Sequence, residues 1–156
     1  MWGFGRRKTL EPSQYPERML MALVKEYRNP NNPTARNTGL DEKELAIKAG
    51  ITSQAIVDSP DYCPELPAGV GIGYQIGKTP PAVLVRMDII AALQEMKDRQ
   101  WATYDIVKRL RVGIKPTPEG IDYASSLMRS RGRKAVDAAR AVYVATVEGI
   151  TRGFRH

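Results

Sequence analysis

At 156 residues, with 42% hydrophobic and 26% charged residues, the chain is long enough to bury one core without a disulfide or metal staple, and its composition excludes a disordered or fibrous protein. Its single cysteine, Cys63, rules out an internal disulfide, no stretch reaches the roughly 20 apolar residues that span a bilayer, and no leader peptide is visible, so a cytoplasmic protein that does not enter membranes is expected. The net charge is +7, and residues 101–156 hold 11 Lys/Arg against 5 Asp/Glu where residues 1–100 hold 13 against 12, so that +6 of the excess sits in the last third and points to a polyanionic partner.

Residues 1–12 mix Trp2 and Phe4 with glycines and the cations Arg6, Arg7 and Lys8, a composition that disfavours regular structure and reads as an arm; 151–156 form a similar tail. Between them one helical domain, 13–150, is expected, with 13–80 and 81–150 as two candidate halves. Ser13 is a candidate cap for a helix to Arg28, whose Leu20, Leu23, Val24 and Tyr27 recur on one face. Residues 29–39 are rich in turn formers and predict an exposed loop. Asp41 and Glu44 have the spacing of a capping box, with Leu40 and Leu45 at the positions of a hydrophobic staple; the helix from Glu42 to Ala49 ends at Gly50, and a short second helix, Ser53 to Ser59, is stopped by Pro60.

From Pro60 to Pro81 the chain is turn-rich, and Val70, Ile72, Tyr74 and Ile76 alternate with Gly71, Gly73 and Gln75, which predicts a short hairpin or extended segment. Val83 to Arg99 reads as the central buried helix, with Ile89, Leu93 and Met96 facing the core. Thr103 is a candidate cap for a short helix to Leu110, followed by an extended Arg111–Lys115 and then a helix started by Thr117-Pro118-Glu119. After Gly132 a last helix, about 133–148, is alanine-rich and offers a surface for a homodimer.

The run from Asp41 to Asp58 resembles the helix-turn-helix of bacterial and phage repressors. Ala46 allows the two helices to cross closely, Gly50 permits the sharp turn, and Leu45, Ala49, Ile51 and Ile56 fall on the core side. The resemblance implies that Thr52, Ser53 and Gln54 face base edges, and the Gln54 amide has the geometry to pair with adenine. The sequence departs from the pattern in that Ser59-Pro60 cuts the second helix short and Asp58 and Asp61 stand close by. A plain antiparallel helix pair is the alternative. Residues 83–131 bear a weaker resemblance to winged-helix regulators, carried by the expected helix at 106–110, the strand at 111–115 and the Thr117-Pro-Glu-Gly120 phrase. It implies that Lys108, Arg109, Arg111 and Lys115 lie beside DNA. Arg129, Arg131, Arg133 and Lys134 form the densest basic cluster, a candidate for phosphate contact, with a merely solvated face as the alternative.

Other chemistries find little support. Gly69–Thr79 looks like a phosphate-binding loop, but the spacing puts Ile72 where a Walker loop needs glycine, and Pro80-Pro81 follows in place of a helix start. One histidine, His156, and one cysteine make neither a zinc cage nor a triad. The expected fold class is therefore mainly α, a helix-turn-helix or winged-helix-like bundle with a short β-hairpin or extended segment. The expected function is non-catalytic binding of nucleic acid, foremost duplex DNA, in transcription or genome maintenance, with no cofactor. A structural module docking on a protein or RNA is the alternative.

Overall fold

A computed structural model of the chain describes residues 10–64, 79–133 and 140. The chain divides into two units, Met1–Ile121 and Asp122–His156. The expected arm, the alternating segment at 70–76, Lys134, nearly all of the expected last helix and the tail lie outside the described residues.

The first unit opens on a 3-10 turn, Pro12–Gln14, and α1, Tyr15–Arg28. The helix starts two residues beyond Ser13, because Pro12 and Pro16 fix the backbone and the Glu11–Gln14 pair forms its own capping box. Met19, Leu20, Leu23 and Val24 are fully buried, and Tyr27 is half-buried with the Arg36 guanidinium 5.4 Å from its ring centre. The expected loop at 29–39 contains a short helix, α2, Pro33–Asn37, which Asn32 caps by accepting from the Ala35 amide. Proline at its first position and a polar cap outweigh the turn-forming composition there.

Two short helices follow, α3, Glu42–Lys48, and α4, Gln54–Val57. Asp41 accepts from the Glu44 amide at 2.7 Å, the Asp41 half of the expected capping box, and both staple leucines, Leu40 and Leu45, are buried. Gly50 takes φ +74°, the left-handed conformation that turns the chain out of α3. Gly39, at φ +80°, has a further reason to be glycine: a Cβ there would stand 2.5 Å from the Gly113 carbonyl carbon.

Helix α5, Pro81–Asp98, is the longest of this unit, and Ala82, Ile89, Ala92, Leu93 and Met96 are its buried side. It packs on α1, and the two contribute nine of the twenty buried hydrophobic residues among those described. The chain then forms an antiparallel hairpin, β1, Ala102–Val107, and β2, Leu110–Pro116. This corrects the helix expected from Thr103 to Leu110. The run Thr103-Tyr-Asp-Ile-Val107 is rich in β-branched and aromatic residues, and pairing with β2 satisfies its backbone. The winged-helix arrangement expected at 83–131 therefore loses its helix at 106–110. Leu40 joins as a one-residue third strand, exchanging backbone hydrogen bonds with Ile114 at 3.1 and 2.9 Å. The first unit is thus a small helical bundle closed by a hairpin.

A helix covers residues 118–133, its first turn capped by the Thr117 hydroxyl, which accepts from the Gly120 amide at 3.0 Å. The break expected at Gly132 does not occur, since one helical glycine costs only about 1 kcal/mol and its neighbours hold the helix. Among the described residues no helix is long and apolar enough to cross a membrane.

Candidate nucleic-acid interface

The residues assigned to the helix-turn-helix are placed unevenly. Leu45, Ala46 and Ala49 are buried as the register requires, while Ile51 and Ile56 are half-buried and Val57 takes the inward position on α4. Ser53 stands at the N-cap position of α4, exposed, and its side chain makes no capping hydrogen bond there. Thr52 is half-buried, its hydroxyl enclosed with no partner. Gln54 is exposed, but its amide donates to Asp58 at 2.9 Å, so the side chain expected to read adenine is tied to a carboxylate on its own turn. At four residues α4 is also too short to fill a groove by itself.

The hairpin holds the other basic candidates. Its 15 residues, 102–116, carry four cations, Lys108, Arg109, Arg111 and Lys115, against one carboxylate, Asp105. Lys108 and Arg109 are the two turn residues, and both have positive φ, +49° and +67°. A two-residue turn that matches strand twist requires this, and asparagine and glycine ordinarily supply it. Here two bulky cations do, at a cost of roughly 1–2 kcal/mol each. Lys108 is exposed and makes no ion pair with a described residue. The Arg109 guanidinium donates to the Pro64 carbonyl. Lys115, at the far end of β2, donates to the Asn37 carbonyl at 2.8 Å and ties the hairpin to α2.

Beneath the turn lies a buried polar cluster that the sequence reading missed. Glu42, at the first position of α3, is fully buried. One carboxylate oxygen faces the Arg86 Nε at 3.3 Å, and the other accepts from the Arg111 backbone N–H at 3.3 Å. The Arg86 Nη2 continues to the Arg109 carbonyl, donating at 2.6 Å, and the same carbonyl accepts from Arg111 Nη1 at 3.3 Å. Tyr62 stands against this cluster, with Lys43 and Arg86 5.3 and 5.7 Å from its ring centre. Its hydroxyl is enclosed, and burial, reinforced by the charge of the Glu42 carboxylate and by hydrogen bonding to it, holds its pKa well above the ordinary tyrosine value. One signal was available: Arg86 is the only cation in the mostly apolar first half of α5, which implies a partner.

Beside the cluster is a recess whose lining includes Tyr62, Val83, Met87 and Ile90 together with Arg86 and Arg109. The outward face of α5 is apolar here, Leu84 being 52% and Met87 61% exposed. In the second unit Arg129, Arg131 and Arg133 are exposed on the 118–133 helix. At about 100° per residue, Arg129 and Arg133 share a face and Arg131 points roughly opposite, so the expected cluster is split by helix geometry. Among the described residues no group of three metal-ligating side chains occurs. Comparison with known protein families, curated proteins and solved structures returned no match.

Proposed function

We propose that this chain is a non-catalytic duplex-DNA-binding protein of winged-helix type, in which the β1–β2 hairpin is the wing and grips the phosphodiester backbone. The observation that carries the reading is the hairpin itself, which follows directly on the long helix α5, pairs through β2 with Leu40, and concentrates four cations against one carboxylate. The element order supports it once the short helices α2 and α4 are taken as additions: α1, α2, the one-residue strand at Leu40, α3, α4, α5 and the two-stranded hairpin. Phosphate contacts of this kind give affinity that depends steeply on salt and little on sequence. Arg129 and Arg133 add a second basic face. Gln54, held by Asp58, is a poor base reader in this arrangement.

A second reading is favoured by α5. Its exposed face presents Leu84 and Met87 rather than donors for base edges, and such a surface suits a protein partner. Fluorescence anisotropy with random duplex, single-stranded DNA and RNA at two salt concentrations separates the two. The DNA reading expects salt-sensitive duplex binding that Lys108→Ala and Arg109→Ala weaken. Absence of binding to every nucleic acid at low salt would sink it and leave the protein-docking reading standing.

A further inference from the structure

We infer that Arg86 and Glu42 are positioning residues for the hairpin turn, holding Lys108 and Arg109 in the conformation that presents the Lys108 ammonium, and the Arg109 donors left over from its bond to Pro64, to backbone phosphates. The inference rests on the duplex-DNA reading above. Left alone, a turn with lysine and arginine at positive φ relaxes, because an L side chain disfavours that region. Three contacts oppose relaxation at Arg109: its carbonyl accepts from Arg86 at 2.6 Å and from Arg111 at 3.3 Å, and its guanidinium donates to the Pro64 carbonyl. Arg86 is itself aimed by the Glu42 carboxylate, which also accepts the Arg111 amide next to the turn. A fully buried glutamate thereby connects the start of α3 to a backbone carbonyl at the tip.

The chemistry of this chain of contacts favours a phosphate ligand. The one buried carboxylate pairs with the Arg86 guanidinium and takes only the backbone amide of Arg111, so Lys108, Arg109 and Arg111 leave the turn with a positive excess. Arg86 spends its donors on Glu42 and on a carbonyl, which makes it a brace for the ligand-facing residues rather than a contact. A lysine at 86 would provide a single ammonium and could not brace both acceptors with the fixed fork of a guanidinium.

The test uses the full chain, as wild type, Arg86→Lys, Arg86→Met and Glu42→Gln, each checked for folding by circular dichroism. Two readouts follow: ¹⁵N relaxation of the Lys108 and Arg109 amides, and the salt dependence of affinity for a random duplex. In wild type the two turn amides should be as ordered as the strands. In each folded variant the turn order parameter should fall from about 0.85 toward 0.6 or below, and the slope of log affinity against log salt should become shallower by roughly 1 to 2, as expected when one or two fewer phosphates are neutralised. A mobile turn in wild type overturns the inference whether or not any variant folds, and so does an unchanged turn in a folded variant. If wild type has an ordered turn yet binds no duplex, the phosphate role falls with the DNA reading while the brace itself stands, so the two failures are distinguishable.

Discussion

Tyr62 concentrates the consequences of burying polar groups on an apolar background. Its ring has two cations within 6 Å of its centre, whereas its hydroxyl is shut away from water beside the Glu42 carboxylate. The same residue sets an alkaline limit. Burial, then the Glu42 charge, raises its folded pKa above the unfolded value of about 10, so the neutral phenol contributes stability that is complete below that pH and is lost as pH rises through the folded pKa. Stability measured from about pH 9 upward should decline in wild type and decline less in Tyr62→Phe. Glu26 marks the acid side. The Asn32 amide, at 2.9 Å, and then the Lys48 ammonium, at 3.5 Å, hold its carboxyl below the ordinary value. That contribution is present above the ordinary glutamate pKa and disappears as pH falls through the folded one; in Glu26→Gln the acid limb of the stability profile should be flatter.

Among the elements, the turns discriminate most sharply between what a side chain costs and what it does. Gly50 and Gly39 share a left-handed backbone, but a Cβ at Gly50 meets nothing within 4 Å while one at Gly39 strikes β2. Gly50→Ala should cost about 1 kcal/mol and Gly39→Ala about 3, a difference that thermal melts resolve. The hairpin turn offers the opposite trade. Replacing Lys108-Arg109 by Asn-Gly should stabilise the fold by about 1 kcal/mol while weakening duplex binding, because the new turn is relaxed and uncharged. The strongest local signals were legible in the sequence: the Asp41 cap, the buried faces of α1 and α5, and Thr117-Pro118 as a helix start all follow from spacing of about one to four residues. The hairpin was not, since Thr103 reads equally as a cap and as a strand residue until β2 is there to pair with it. The Glu42–Arg86 contact was invisible for the same reason, a buried charge being recognisable only when its distant partner is known.

At the scale of the molecule, charge and topology converge on the hairpin. With the net charge at +7, any duplex binding should fall steeply with salt, and neutralising Lys108, Arg109 and Arg111 together should reduce the slope by about 0.9 for each phosphate these side chains hold. Neutralising Arg129 and Arg133 should reduce it independently of the hairpin set, and Arg131→Ala should act separately from both, as its opposite position on the helix requires. Topology has another consequence, because the hairpin closes contacts with residues far upstream: 69 positions separate Glu42 from Arg111, and 78 separate Asn37 from Lys115. At roughly 5–20 residues per second of synthesis, α1 and α3 wait on the order of 4 to 15 seconds on the ribosome before β2 exists to receive them. During that interval Leu20, Leu23 and Leu45 have no complete core to enter, and the buried glutamate gains Arg86 first and waits longest for the Arg111 amide. The nascent chain is thus most vulnerable to aggregation and to chaperone capture before its last third emerges, and the residues proposed to hold DNA are the same ones whose arrival ends that exposure.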